Sequence, residues 1–263
     1  MRVLVLSSGG KDSCYAVWWA LLQGWEVAGI VTVRVSGDDS MMFQLPSTAL
    51  AGLQAASAGI PWLPVIVSGE PEVEIAQLEE ALHPQVTGVA DSPTHIHSNN
   101  WTEKEWAAFW PPNWPRPSNL MRMNSQTPID GLVSGALRSD YQRTRLDRMA
   151  ERLGIKSFSP LWHNSAPQHM QELLEQQFSM MLTSVSADGL TEEWVGRSLD
   201  GQSLGELGVV ATRHGFTVDG EGGEFETAVV SAPWMNSQIT IVGEPHWKGQ
   251  RGQFDIESAS LTE

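Results

Sequence analysis

Six consecutive residues near the start of the chain have the types and spacing that bind phosphate groups. They read Ser8-Gly9-Gly10-Lys11-Asp12-Ser13, after an apolar segment (residues 2–6) that predicts a β-strand and before one (residues 13–23) that predicts a helix. A helix N-terminus presents unpaired backbone N–H groups and the positive end of the helix dipole. Glycines let phosphate oxygens approach the backbone closely. We therefore predict a phosphate site at residues 8–13.

The side chains of this loop can be given separate roles. Lys11 supplies a positive charge, and the hydroxyl groups of Ser8 and Ser13 can donate to phosphate oxygens. Asp12 would repel phosphate directly, so we predict that it holds a Mg²⁺ ion that bridges the phosphates. The loop is not a Walker A motif, because Val5 stands where that motif requires glycine and Asp12 follows the lysine.

A second candidate segment is the glycine- and glutamate-rich run Gly-Glu-Gly-Gly-Glu-Phe-Glu-Thr at residues 220–227. Its carboxylates, Glu221, Glu224 and Glu226, are suited to binding a cation or a metal, or to carrying a transferable proton. Its glycines allow a ligand to approach the backbone. A solvated surface loop is the alternative interpretation.

Arginine is concentrated in a third segment, residues 138–152, which holds five of the 16 basic residues of the chain. Helical spacing places Tyr141, Arg145, Arg148 and Arg152 on one face. One interpretation is a solvated face with Asp147 and Glu151 as partners. The other is a basic face that binds a triphosphate or an acidic partner protein.

Apolar segments of strand and helix type alternate along the first part of the chain, which predicts an α/β fold with a doubly wound, mostly parallel sheet. We expect a domain at residues 1–135 that carries the phosphate site and a smaller C-terminal α+β lobe at residues 136–263 for the substrate. Residues 84–128, rich in Trp and Pro, interrupt the rhythm as an insertion or lid with a short helix at 102–109. The other predicted strands are 26–33, 63–67, 131–133, 180–185, 228–230 and 238–242, and the other predicted helices are 47–58 (after a loop at 36–46), 72–82, 139–153, 168–178 and 203–214.

Composition narrows the class of protein. The formal net charge of −15 disfavours a broad nucleic-acid-binding surface. The longest apolar run, residues 14–22, is far too short to cross a membrane. A single cysteine and no recognisable targeting segment lead us to expect a reducing cytoplasm. His95 and His97 form a His-x-His pair, but ordinary loop histidines are the favoured interpretation over a metal site.

Taken in order, these segments resemble the diphthine–ammonia ligase family of the ATP pyrophosphatase superfamily. The resemblance rests on the loop at 8–13, Asp-Gly-Leu-Val-Ser-Gly-Ala-Leu at 130–137, Tyr-Gln-Arg-Thr-Arg at 141–145, Arg-Leu-Gly at 152–154, Pro-Leu-Trp at 160–162, and the run at 220–227. It implies that ATP and ammonium are used to convert diphthine, a modified histidine of translation elongation factor 2, into diphthamide through an acyl adenylate. Residues 84–128 depart from the family pattern.

The resemblance also implies roles for residues. Residues 8–13 match the nucleotide loop of the family, and residues 221–226 match its EGGE-x-E motif on the substrate side. A further block beside the nucleotide site corresponds to Ser134, Gly135, Tyr141, Gln142 and Arg145. From these we expect Lys11, Asp12, Glu221, Glu224 and Glu226 to carry the chemistry.

Other functions stay open at this stage. Another amide-forming synthetase acting on a small carboxylate is one, and a non-catalytic ATP sensor that grips a partner is another. Members of the superfamily that thiolate tRNA need paired cysteines or a persulfide carrier and a basic surface, which this chain lacks. Because Cys14 is the single cysteine and is expected to pack in a helix, we predict free ammonium as the nitrogen donor. A homodimer is left open.

Overall fold

A computed structural model describes residues 1–36, 41–70, 73–88, 101–124 and 127–262, with the backbone alone described at 41–47. The strands are β1 (Arg2–Leu6), β2 (Glu26–Val35), β3 (Trp62–Val67), β4 (Gly131–Val133), β5 (Lys156–Phe158), β6 (Ser179–Val185), β7 (Ser198–Leu199), β8 (Phe225–Ser231), β9 (Ile239–Lys248) and β10 (Arg251–Leu261). The helices are α1 (Lys11–Leu22), α2 (Met41–Ala58), α3 (Val73–Thr87), α4 (Glu103–Phe109), α5 (Asp140–Arg152), α6 (Ala166–Glu175) and α7 (Gly201–His214).

The first five strands form one parallel sheet in the order β3-β2-β1-β4-β5. Val3, Leu4 and Val5 of β1 are fully buried, as expected for a central strand covered on both faces. The chain winds outward from β1 in both directions, so the loop after β1 lies at the point where the strand order reverses. Ligands of doubly wound sheets bind at this point. The predicted α/β fold is confirmed.

The remaining strands form an antiparallel sheet in the order β7-β6-β10-β9, and β8 also pairs with β6. Helix α1 lies between the two sheets. Its Ala16, Val17 and Ala20 belong to the apolar cluster that includes β1, whereas Cys14 and Tyr15 pack with residues of α6 and β6. Residues 8–13 at the start of α1, the predicted phosphate loop, are therefore held by both parts of the chain.

Several elements differ from the sequence prediction. Helix α2 begins at Met41, inside the predicted loop, and continues through Pro46 at the loss of one backbone hydrogen bond. Helix α3 likewise runs past its predicted end, through Pro84 to Thr87. Strands β5, β7 and β10 were not predicted. In β10 a bulge between Ile256 and Ser258 shifts the alternation of apolar residues by one position, which hides the strand pattern.

Helix α5 and strand β5 follow the predicted domain boundary at residue 135 and extend the parallel sheet to Phe158. The functional division into residues 1–135 and 136–263 stays a prediction. Within the insertion, the predicted short helix is confirmed as α4. Thr102 caps its N-terminus and forms a capping box with Glu105. His95 and His97 lie outside the described residues.

Tryptophans of the insertion pack against β3. Trp110 and Trp114 are buried, and the Trp110 ring meets that of Trp62 edge to face with centroids 6.2 Å apart. The Trp62 indole N–H donates to Thr32 at the carboxyl end of β2. This part of the insertion is thus a packed layer beside the site. None of the helices in the described part of the chain has the length and apolar character needed to span a bilayer.

Candidate active site

The loop between β1 and α1 has the geometry of an anion site. Gly10 is the N-cap residue of α1. Because glycine has no side chain, it makes no side-chain hydrogen bond to the backbone N–H groups of the first helical turn. Gly9 has a φ of +85°, a conformation that L side chains rarely adopt. The Lys11 amide donates to the Thr227 hydroxyl of β8 at 3.1 Å. The loop therefore joins the first helix to the glycine- and glutamate-rich segment.

Internal hydrogen bonds fix the shape of this loop. The hydroxyl of Ser7 donates to that of Ser13, and Ser13 in turn donates to the Gly10 carbonyl at 3.0 Å. Ser13 is thus engaged within the loop here, whereas Ser8 is exposed and lines the neighbouring cavities. The buried amide of Gln54 donates to the carbonyl groups of Gly9 and Val229. Gln54, which sequence reasoning missed, ties α2 and β8 to the loop.

Asp12 is held between two cationic or donor groups. Its Oδ2 lies 2.8 Å from Lys11 Nζ, and its Oδ1 lies 2.8 Å from His169 Nε2. Burial alone would raise the pKa of Asp12, but Lys11 and His169 outweigh burial and hold the pKa below its usual value. The described residues contain no cluster of three or more potential metal ligands. A single carboxylate beside a phosphate site still fits Mg²⁺, which commonly takes one or two carboxylates together with substrate phosphates.

A cavity of about 410 Å³, here called the Tyr141 cavity, opens on one side of the loop. The predicted residues Ser134, Gly135, Tyr141, Gln142 and Arg145 all line it, together with Ser8, Asp12 and Ser13. The Arg145 guanidinium stacks on the Tyr141 ring at 3.3 Å from its centroid. Gly135 packs so tightly that an added Cβ would lie 2.6 Å from the backbone carbon of Asp12. This block therefore supports the phosphate loop directly.

A second cavity of about 450 Å³, the Glu226 cavity, opens on the other side of the loop. Glu221, Phe225 and Glu226 line it, and Glu221 also lines the Tyr141 cavity. Glu224 is placed differently: its side chain folds over Gly222, and it is not among the lining residues of the two cavities. The structure thus brings Glu221 and Glu226 to the loop and directs Glu224 back onto its own turn.

An ion pair missed by sequence reasoning lies next to Glu221, the carboxylate that lines both cavities. Arg138 donates from Nη2 to Oδ2 of the fully buried Asp219 at 2.6 Å, and from its backbone N–H to the Glu221 carboxylate at 3.1 Å. Burial raises the pKa of Asp219, but the hydrogen bonds from Arg138 and Thr217 and the charges of Arg138 and Lys11 together outweigh burial and lower the pKa. Burial raises the pKa of Glu221, and the charges of Asp12 and Asp219 add to this shift.

Replacing Arg138 by methionine is expected to destabilise the fold by about 3 kcal/mol, because it leaves the Asp219 carboxylate buried without its cation. Urea unfolding measures the loss. Arg116→Met is the matched control, since Arg116 pairs with the largely exposed Glu103 and its loss should leave the free energy of unfolding almost unchanged. Equal effects of the two substitutions would contradict the importance of the Arg138–Asp219 pair.

The arginines of residues 138–152 mostly have acidic partners. Arg152 binds Glu79 of α3, Arg143 pairs with Asp147 at 3.5 Å, and Arg138 binds Asp219. The contacts of Arg152 and Arg143 favour the solvated, paired face over a continuous basic surface, with Glu79 and not Glu151 as the partner of Arg152. Arg138 binds a buried carboxylate and is not part of that face. Arg145, in the Tyr141 cavity, is the member of the group that lies beside the phosphate loop.

Family models match both parts of the chain. Residues 1–98 match the diphthamide synthase N-terminal domain, and residues 165–262 match the diphthamide synthase C-terminal domain. The chain belongs to the diphthine–ammonia ligase family. This membership confirms the resemblance drawn from the motifs and the expectation of an enzyme of the carbon–nitrogen ligase class. The two models contain the phosphate loop and residues 220–227, respectively.

Relatives named diphthine–ammonia ligase align along most of this chain. The proteins of Bos taurus and Homo sapiens are each 25% identical to it, over 92% of this chain and 83% of their own lengths. The Schizosaccharomyces pombe protein is 26% identical over 92% of this chain, which spans 36% of that longer protein. A solved structure described as a predicted subunit of tRNA methyltransferase from Methanocaldococcus jannaschii covers 89% of this chain and 98% of its own, at 14% identity and a TM-score of 0.37. That likeness is too weak to support an argument.

Proposed function

We propose that this ligase converts diphthine on translation elongation factor 2 into diphthamide, using ATP and free ammonium and releasing AMP and pyrophosphate. The observation that carries the proposal is the position of the phosphate loop between two cavities. The Tyr141 cavity is lined by the block that resembles the nucleotide side of the family, and the Glu226 cavity by the block that resembles its substrate side. Ser8, Asp12, Ser13 and Glu221 line both, so a nucleotide and a carboxylate can meet there.

In the first step, an oxygen of the substrate carboxylate attacks the α-phosphorus of ATP and the bond to the β-phosphate breaks. The products are the acyl adenylate and pyrophosphate. The Lys11 ammonium group and the positive end of the α1 helix dipole stabilise the charge that develops on the departing pyrophosphate. A Mg²⁺ ion held by Asp12 would neutralise phosphate charge when bound. Tyr141, Gln142 and Arg145 are proposed to hold the nucleoside side of ATP.

In the second step, ammonia attacks the acyl carbon, AMP leaves, and one proton is released for each amide formed. Glu221, whose pKa is raised, is placed where both cavities meet and is suited to accept a proton. Cys14 is buried in α1 and burial raises the pKa of its thiol, which makes it unsuited to hydrolyse glutamine. Free ammonium is therefore the proposed nitrogen donor.

The Glu226 cavity matches the charge of the proposed substrate. Diphthine carries a trimethylammonium group beside its carboxylate, and Glu226 and Phe225 offer a negative charge and an aromatic ring. Glu224 stays a predicted catalytic residue. Its Oε2 is buried and, among the described residues, has no hydrogen-bond partner.

Glu226→Gln is expected to lower kcat/KM for diphthine-bearing elongation factor 2 about 10- to 100-fold, mainly through KM, because it removes the charge that faces the quaternary ammonium group. KM for ATP should stay unchanged. Initial rates of AMP formation at varied elongation factor concentration measure the effect. Glu244→Gln, an exposed carboxylate on β9, is the matched control. Undiminished amidation by Glu226→Gln would contradict the proposed role of this cavity.

The function itself is tested by incubating the protein with diphthine-bearing elongation factor 2, ATP, magnesium and ammonium. Conversion of the carboxylate to the amide, followed by mass spectrometry, should match AMP release one for one. AMP release with a small carboxylate instead would favour a different amide-forming synthetase. ATP binding without AMP release in the presence of each substrate would favour a non-catalytic sensor.

A further inference from the structure

Asp12 has a partner that comes from a distant part of the chain. His169, on α6, lies 157 positions later in the sequence, and its side chain is fully buried. Its Nε2 contacts Asp12 Oδ1 at 2.8 Å, while Lys11 Nζ contacts the other carboxylate oxygen at the same distance. The orientation of the Asp12 carboxylate is therefore fixed from both sides.

The surroundings of the imidazole ring define its role. Because an ionised carboxylate can only accept, Nε2 of His169 carries the hydrogen and donates to Asp12. Nδ1 is buried and has no hydrogen-bond partner among the described residues. The ring is held instead by Tyr15, edge to face with centroids 5.2 Å apart, and Tyr15 donates from its hydroxyl to Glu172 at 3.0 Å. Among the described residues, Asp12 is thus the one side chain that is hydrogen-bonded to this ring.

We propose that His169 is a positioning residue for the Asp12 carboxylate. By occupying Oδ1 it keeps the carboxylate in one orientation, so that the remaining lone pairs face the two cavities that Asp12 lines. A carboxylate fixed in this way binds Mg²⁺ without first losing rotational freedom. The inference rests on the proposed function in one respect, namely that ATP with Mg²⁺ is the ligand of the loop.

The test compares ATP binding with and without magnesium by titration calorimetry, in the absence of elongation factor and ammonium. His169→Leu should reduce the magnesium-dependent gain in ATP affinity about 10- to 100-fold, the usual effect of removing a residue that orients a metal ligand. Affinity for ATP without magnesium should stay close to that of the unmodified protein. His169→Gln should restore most of the gain, because its amide N–H can replace the Nε2–H donor.

Two further variants separate positioning from packing. His169→Asn keeps a polar amide but is too short to reach Asp12, so it should behave as His169→Leu does. Tyr15→Phe keeps the ring that packs on His169 and should retain the magnesium-dependent gain. Equal magnesium dependence in folded Gln and Asn variants, or an unchanged gain in folded His169→Leu, would overturn the proposal. Because this assay measures ATP binding and forms no amide, its result does not depend on whether the protein amidates diphthine.

Discussion

Replacing Lys11 by methionine is expected to slow AMP formation at least about 100-fold while the protein stays folded. The side chain is buried at the start of α1, and its ammonium group lies 2.8 Å from the Asp12 carboxylate. Methionine keeps most of the length and loses the charge. Removing one preorganised group that stabilises transition-state charge typically costs two to three orders of magnitude in kcat.

Steady-state AMP release with diphthine-bearing elongation factor 2 measures the effect of Lys11→Met, and circular dichroism checks the fold. Lys248→Met, in an exposed position of β9, serves as the control for loss of a lysine and should leave the rate unchanged. A Lys11→Met protein that forms AMP at the normal rate would show that the loop does not stabilise the departing pyrophosphate.

Gly135→Ala is expected to abolish most of the activity by moving the phosphate loop. An added Cβ would lie 2.6 Å from the Asp12 carbon and 2.8 Å from the Ser13 nitrogen, both backbone atoms that cannot rotate away. The loop must therefore shift, and a displacement of about 1 Å at a reacting group can cost about 100-fold in rate. ATP affinity should fall as well, because Gly135 also lines the Tyr141 cavity.

Calorimetric ATP binding and the rate of AMP release check this prediction. The matched control is Gly208→Ala on α7, where an added Cβ meets no atom within 4 Å. Alanine is the better helix former by up to about 1 kcal/mol, so the control should be as stable as the unmodified protein or slightly more stable. If Gly135→Ala and Gly208→Ala bind ATP equally well, the close packing of Gly135 against the loop has no functional role.

The strand–loop–helix unit that carries residues 8–13 could be predicted from the sequence because its information is local, whereas phosphate binding there stays a prediction. A strand, two glycines and the start of a helix fall within residues 2–13. The chemical nature of each side chain there restricts what it can contact. The segment at residues 220–227 was recognised for the same reason. Its relation to the loop was not predictable: the hydrogen bond from Lys11 N–H to Thr227 joins residues 216 positions apart.

Other site residues carry no local signal. Gln54 lies in an apolar helix, and His169 lies on the buried face of α6 beside Met170 and Leu173. A single polar residue in such a setting usually satisfies a partner in the core, and the sequence does not name that partner. Asp219 and Arg138 were missed as a pair because each is one charge among many until the fold brings them together. The same holds for β10, whose bulge breaks the alternation by which a strand is recognised.

The central claim is that the loop grips the outer phosphates of ATP and leaves the α-phosphate open to a substrate carboxylate. It is tested most directly with diphthine whose carboxylate carries a heavy oxygen isotope. In the proposed reaction one carboxylate oxygen bonds to the α-phosphorus and stays there when ammonia displaces AMP. If both carboxylate oxygens are labelled, mass spectrometry should therefore find one labelled oxygen in each AMP formed. Unlabelled AMP, or label in inorganic phosphate formed together with ADP, would contradict the account.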